Sequence, residues 1–148
     1  MEVMTATRAL GVDLGSRRIG LAVSDPSLTV ATPLEVLTRR GEVADDHRAI
    51  VAAALEAEAA IIVVGLPLSL SGRDGPAARA ARAEAEQLRV LAAASGIEVC
   101  LQDERLTTVT AERALDEARV RREERRRVVD KIAATVMLQA WLDGGARR

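Results

Sequence analysis

Alternating apolar and polar residues at the start of the chain predict three β-strands. The first strand is predicted over Arg8–Leu14 and the second over Ile19–Ser24, with the tight turn Gly15–Arg18 between them. A third strand is predicted near Thr29–Thr38. Because strands joined by so short a turn pair in opposite directions, the chain is expected to begin with an antiparallel sheet.

After residue 41 the pattern changes to helices that alternate with strands. Apolar residues at helical spacing mark the first helix, continuous apolar runs mark buried strands, and Pro76 and Gly96 mark the start and the end of a long helix. The predicted elements are helix Glu42–Ala57, strand Ala60–Val64, loop Gly65–Gly75, helix Pro76–Ala94, strand Ile97–Gln102, a helix from Thr107 or Thr108 to about Ala118, an exposed connector Arg119–Arg127, and helix Val128–Leu142. We therefore predict an α/β fold, with a mixed sheet of three antiparallel strands followed by two parallel ones, flanked by helices.

Length and composition indicate one globular domain over residues 1–148. The chain is 49% hydrophobic and 29% charged, and no apolar run approaches the length of a membrane span. Its first residues lack the basic and apolar segments of a signal peptide. We expect a cytoplasmic protein that does not associate with membranes.

The single cysteine and the single histidine restrict the chemistry. Cys100 cannot form an internal disulfide or a cysteine-rich zinc site, and it is expected to be a buried strand residue. His47 is expected to be solvated on a helix surface beside Asp45 and Asp46. Carboxylates remain as the available metal ligands, and oxygen ligands favour Mg²⁺ or Mn²⁺.

Three acids occupy positions where core residues are expected. Asp13 shares one face of the first strand with Ala9 and Gly11, small residues that leave room for a ligand. Glu104 follows the carboxyl end of the fifth strand, and Asp130 begins an apolar helical stripe. A carboxylate among apolar neighbours is costly unless it is paired, hydrogen-bonded or bound to a metal. All three positions are explained if the acids form one site that binds two divalent metal ions and hydrolyses a phosphodiester bond.

Each acid also has an ordinary structural explanation. The amides of the following turn can satisfy Asp13, Glu104 can form a salt bridge with Arg105, and Asp130 can be the N-cap of its helix. The first and fifth strands must lie on either side of the fourth for Asp13 and Glu104 to meet.

Candidate phosphate contacts come from a loop and from arginines. The net charge is −1, and of the 21 basic residues all but Lys131 are arginines, which suit bidentate phosphate contacts. No Phe or Tyr is present, which argues against base stacking. The loop after the fourth strand can bind a phosphate or be a simple connection, and the Arg-rich segment can bind nucleic acid or be solvated. The candidate substrate-binding residues are Gly65, Ser69, Arg18, Arg121, Arg122, Arg125 and Arg126.

Four segments resemble the YqgF/RuvX family, which comprises pre-16S rRNA nucleases also described as Holliday junction resolvases. The segments are Gly11–Asp25 (GVDLGSRRIGLAVSD), Val64–Leu68 (VGLPL), Asp103–Thr108 (DERLTT) and Val129–Ala134 (VDKIAA). The resemblance implies a ribonuclease H-like fold in which Asp13, Glu104 and Asp130 form the acidic site. It also implies that Arg18 and Arg105 match recurrent arginines. Family members often carry Asn and Asp where this chain has Ser69 and Ser71.

The family resemblance implies maturation of the 5′ end of precursor 16S rRNA in the bacterial cytoplasm, coupled to ribosome assembly and hence to ribosomal particles. A nuclease for branched DNA is the alternative substrate class, and such an enzyme is expected to act as a dimer. A non-catalytic RNA-binding assembly factor is a further alternative. Residues 13–20 also resemble the first phosphate-binding segment of the actin and sugar-kinase superfamily, whose members need two such lobes.

Overall fold

A computed structural model describes residues 8–68, 73–104 and 122–144, without the side chains of residues 122–130. Its sheet has five strands. They are β1 (Arg8–Leu14), β2 (Arg18–Ser24), β3 (Ala31–Thr38), β4 (Ala59–Leu66) and β5 (Glu98–Asp103). The helices are α1 (Val43–Glu56), α2 (Pro76–Ala93) and α3 (Arg122–Asp143). The predicted helix from Thr107 or Thr108 to Ala118 lies outside the described residues.

The strands are arranged in the order β3-β2-β1-β4-β5. β1 and β2 pair antiparallel, as do β2 and β3, whereas β4 is parallel to both β1 and β5. The prediction of a mixed sheet with three antiparallel strands first is confirmed. β4 lies between β1 and β5, so the carboxyl ends of these three strands share one edge of the sheet.

Two hydrophobic cores cover the two faces of the sheet. On one face, Leu10 and Val12 of β1 and Ile62 and Val64 of β4 pack with α1 and α2. On the other face, residues in alternate positions of the same strands pack against α3 through Ala134, Met137 and Leu138. Within the described ranges, no helix has both the length and the apolarity that a membrane span requires.

The small residues on the α3 face of β1 allow α3 to pack closely against the strand. A Cβ atom on Gly11 would lie 2.8 Å from Leu138 Cβ and 3.2 Å from the carbonyl oxygen of Ala134. The sequence indicated that small residues beside Asp13 leave room for a ligand. At Gly11 that room is taken by α3, which approaches the sheet closely enough to cover the strand beside Asp13.

Three predicted boundaries were wrong. β3 begins at Ala31 because the Asp25 carboxylate accepts hydrogen bonds from the backbone amides of Thr29 and Val30, at 2.8 and 2.9 Å, which shape a loop. β4 continues through Leu66, so Gly65 is a buried strand residue and not the start of a loop. The last helix begins at Arg122, so residues 122–127 are helical and not a connector. Arginine and glutamate are good helix formers, which accounts for the extension.

The inward face of α1 also differs from the prediction. Asp46 and His47 are buried with Ile50, whereas the apolar residues Val43 and Leu55 are 39% and 52% exposed. His47 is only 3% exposed, and the prediction of a solvated histidine was wrong. Polar partners within the fold, described below, make its burial possible. Cys100 of β5 is partly buried and packs against the α3-side core.

Candidate active site

Asp13 lies one residue before the end of β1, on the face of the sheet that α3 covers. It pairs with Gly20 of β2, and the chain turns directly after Leu14. Strand alternation places Asp13 on the same face as Ala9 and Gly11, as predicted. Its side chain is partly exposed, so it lies where the core opens to solvent.

Glu104 lies directly beyond β5, and its backbone holds it at the end of β4. The Glu104 amide donates a hydrogen bond to the carbonyl oxygen of Leu66 at 3.1 Å. Its side chain is 7% exposed, which makes it one of few buried acids in the described part of the chain. β1 and β5 lie on either side of the parallel strand β4. This is the strand order that Asp13 and Glu104 need in order to meet.

The side chains of Asp13 and Glu104 interact directly. Burial raises the pKa of Glu104 to about 8, and the charge of Asp13 and a side-chain hydrogen bond with it act in the same direction. The charge of Asp103 adds a smaller effect. Two carboxyl groups in contact cannot both ionise cheaply, so Glu104 retains its proton near neutral pH.

Gly65 creates the space that Glu104 occupies. A Cβ atom on this residue would overlap Glu104 Oε2 and would lie 3.3 Å from Met137 Cγ. Gly65 was predicted to be a phosphate-binding residue of the loop after β4. The structure instead gives it a place beneath the buried carboxylate, where any larger residue would push Glu104 away from Asp13.

Asp130 belongs to α3, which passes over the same face. The helix lies against Gly11 at Ala134 and against Gly65 at Met137. Residue 130 is one turn, about 6 Å along the axis, before Ala134. An N-cap role for Asp130 is wrong, because α3 begins at Arg122, two turns earlier. The position of its carboxylate remains a prediction, since the side chains of residues 122–130 are not described.

The Asp13 and Glu104 pair fits a divalent cation by its chemistry. It offers carboxylate oxygens, the ligands preferred by Mg²⁺ and Mn²⁺, and a cation between them would offset the repulsion that raises the pKa of Glu104. No group of three or more His, Cys, Asp or Glu side chains able to hold a metal is found among the described side chains, which do not include Asp130.

The other candidate residues are only partly described. Arg18 opens β2 and is partly buried, while Arg17 beside it is exposed, as expected. Arg122, Arg125 and Arg126 lie in α3, with only their backbone described. Ser69, Arg105 and Arg121 lie outside the described residues, and their roles remain predictions.

Comparison with known proteins agrees with this fold. The family model "RuvX: Holliday junction resolvase" matches residues 7–144. A relative from Nocardia farcinica, named "Putative pre-16S rRNA nuclease", is 47% identical over 141 residues, covering 92% of this chain and 77% of its own. A relative of the same name from Rhodococcus erythropolis is 46% identical over 143 residues, covering 95% of this chain and 80% of its own.

Among solved structures, Thermus thermophilus RuvC in complex with a Holliday junction substrate matches with a TM-score of 0.57. The alignment covers 94% of this chain and 96% of RuvC at 15% sequence identity, and it shows a shared ribonuclease H-like fold. The family model and the relatives support a nuclease. On the strength of a match over nearly its whole length, the chain belongs to the RuvX family.

Proposed function

We propose that this protein is a divalent-metal-dependent nuclease that hydrolyses phosphodiester bonds in the 5′-end maturation of precursor 16S rRNA. The observation that carries the proposal is the contact between Asp13 and Glu104 at one edge of the sheet. A buried Glu104 in contact with the Asp13 carboxylate destabilises the fold unless a bound cation offsets the repulsion. The names of the relatives from Nocardia and Rhodococcus support RNA as the substrate.

Asp13 and Glu104 would hold the metal, with Asp130 as the third ligand. Bound Mg²⁺ or Mn²⁺, as two ions, supplies Lewis acidity that activates a water and stabilises the leaving oxygen. Glu104 keeps a proton at neutral pH and must release it before it can act as a ligand. Leu66 and Gly65 fix where that carboxylate lies, by a backbone hydrogen bond and by the absence of a side chain.

Arginines would hold the substrate on the solvent side of these acids. Arg18 begins the strand that pairs with β1, so it lies near the end of the sheet at which Asp13 is found. We propose that Arg105, Ser69 and the arginines early in α3 contact further phosphates. Such contacts position the backbone and do not read its sequence, which suits a nuclease directed by RNA shape.

The decisive experiment compares two substrates and two isosteric variants. Purified wild type, Asp13→Asn and Glu104→Gln are incubated with a 5′-extended 16S rRNA fragment and with a DNA four-way junction, with Mg²⁺ or Mn²⁺ or with EDTA. Glu98→Gln is the matched control, because it neutralises an exposed carboxylate on β5, the strand that leads to Glu104.

We expect metal-dependent cleavage of the RNA by wild type and Glu98→Gln, and a loss of at least about a hundredfold in both site variants. Cleavage of the junction alone would favour the DNA function named in the family description. Binding of RNA without cleavage of either substrate would overturn the proposed nuclease function. It would favour a non-catalytic assembly factor that binds RNA in ribosomal particles.

A further inference from the structure

A buried polar cluster lies behind the turn that follows Asp13. It comprises Arg39 directly after β3, Asp46 and His47 of α1, and Glu84 of α2, and is called the Arg39 cluster below. Asp46 and His47 are 4% and 3% exposed. The side chains of Arg39 and Glu84 are 15% and 17% exposed. Burying four polar groups together is costly unless their hydrogen bonds are closely matched.

The hydrogen bonds within the cluster satisfy this condition. Arg39 Nη2 donates to Glu84 Oε1 at 2.9 Å, and Nη1 donates to Glu84 Oε2 at 3.0 Å and to Asp46 Oδ2 at 3.2 Å. His47 Nε2 lies 2.9 Å from Glu84 Oε2. Burial is the largest single effect and disfavours the charged form of both Arg39 and Glu84. The hydrogen bonds and charge interactions with each other, with Asp46 for Arg39 and with His47 for Glu84, together outweigh burial, so the pKa of Arg39 is raised and that of Glu84 is lowered. The guanidinium is therefore fixed from one side by carboxylates on two helices.

The opposite edge of the same guanidinium binds the turn. Arg39 Nε donates to the Gly15 carbonyl oxygen at 2.7 Å, and the Arg39 backbone amide donates to the Arg17 carbonyl oxygen at 2.9 Å. Within the turn, the Gly15 amide donates to the carbonyl oxygens of Asp13 at 3.1 Å and Arg18 at 2.9 Å. Arg39 thus connects α1 and α2 to the backbone that lies between Asp13 and Arg18.

We propose that Arg39 is a positioning residue for the candidate active site, an inference that rests on the proposed nuclease function. By fixing the carbonyl of Gly15 against two helices, Arg39 keeps Asp13 at the position where it meets Glu104 and keeps Arg18 at the start of β2. A guanidinium is required because its planar fork donates to the turn and to both carboxylates at once. A lysine has one ammonium group and cannot span these partners.

The test compares Arg39→Lys with Arg82→Lys. Arg82 also makes two hydrogen bonds to one carboxylate, that of Asp74 at 2.6 and 3.3 Å, but it does so on the exposed side of α2. Amide hydrogen exchange by NMR is measured at Gly15 and, as a reference for the core, at Val63 of β4. Steady-state cleavage of the substrate that wild type cuts, measured over a range of substrate concentrations, gives kcat and KM.

In Arg39→Lys we expect exchange at Gly15 at least about tenfold faster, with Val63 unchanged. We expect kcat to fall at least about tenfold with KM within about twofold, because misplaced carboxylates slow chemistry more than binding. Arg82→Lys should match wild type in both measurements. If Arg39→Lys does not fold, Glu84→Gln replaces it, with the same direction of change expected at Gly15.

An unchanged rate of amide exchange at Gly15 in Arg39→Lys would overturn the proposal. An equal increase in the exchange rates of Gly15 and Val63 would also overturn it, because it would indicate general destabilisation. Faster exchange at Gly15 with unchanged kcat would also overturn it. Exchange does not depend on cleavage. If wild type cuts neither substrate, the nuclease function fails, and the exchange at Gly15 still decides whether Arg39 holds the turn.

Discussion

Replacing Glu104 with glutamine should make the metal-free protein more stable at high pH. In the unfolded chain this carboxyl ionises at its ordinary pKa of 4.5, whereas in the folded protein burial, and then Asp13, raise the pKa to about 8. Between these values the folded state binds a proton that the unfolded state has released. The free energy of unfolding of the wild type therefore decreases as the pH rises through this range.

The size of the effect follows from the shift. A change in pKa from 4.5 to about 8 corresponds to a loss of at most about 5 kcal/mol, accumulated up to pH 8 and constant above it. It is an upper limit, because an ionised carboxylate at the end of a strand draws in water that lowers its cost. We expect the free energy of unfolding of Glu104→Gln, relative to wild type, to increase by about 2–4 kcal/mol from pH 5 to pH 9, since part of the loss already occurs below pH 5.

Urea unfolding in EDTA measures this difference. The fluorescence of Trp141, the only tryptophan, reports on α3, and circular dichroism reports on all helices. Glu98→Gln should follow the wild type at every pH, because Glu98 is exposed on β5. A difference between Glu104→Gln and wild type that is constant from pH 5 to pH 9 would refute the reasoning. At pH 9, Mg²⁺ should stabilise the wild type more than Glu104→Gln, since a bound cation stabilises the state that binds it.

Three further substitutions test separate parts of the structure. Gly65→Ala should slow single-turnover cleavage by about a hundredfold because the new Cβ displaces the buried carboxylate, whereas Gly75→Ala, with open space around it, should cleave normally. Equal rates in the two variants would contradict this. Gly11→Ala should lower the free energy of unfolding in urea by about 1–3 kcal/mol by pushing α3 outward, and an unchanged value would mean that α3 tolerates the added Cβ atom without cost. Changing Arg125 and Arg126 together to Gln should reduce the slope of log binding constant against log salt by about 1–2, and an unchanged slope would remove this segment from the RNA interface.

The sheet was predictable from the sequence because its signals are local. The alternation of β1, the turn at Gly15 and the continuous apolar run of β4 each identify a strand from its own residues. Errors occurred where a side chain binds backbone amides a few residues further along the chain, or where a run of charged residues conceals helix propensity. Asp25 delays β3, and arginines that indicate a connector extend α3.

The acid pair was predictable in part. Asp13 was identified because it interrupts an apolar strand pattern, and Glu104 because it follows the carboxyl end of a strand. The strand order then brought the two residues together. The role of Gly65 was missed, since the sequence does not show which side chain fills the space above a glycine. His47 and Glu84 were missed because each has a polar surface pattern in its own helix, and their partner Arg39 comes from a third element. The signal that was overlooked is spacing: Asp46 and His47 share one helical face with Ile50 and Ala54, which are buried.

The positions of Asp13 and Glu104 along the chain determine when the two carboxyl groups can meet during synthesis. A growing chain that ends after β4 contains Asp13 and the glycine that will lie beneath Glu104, but it has neither Glu104 nor α3. Because domains fold as units once their elements are available, the carboxylates meet only when nearly the whole chain has left the ribosome. Under the proposed function, a partly made molecule would lack a complete metal site while it is still attached to a particle rich in RNA, and cleavage would begin only after the last helix has packed over the sheet.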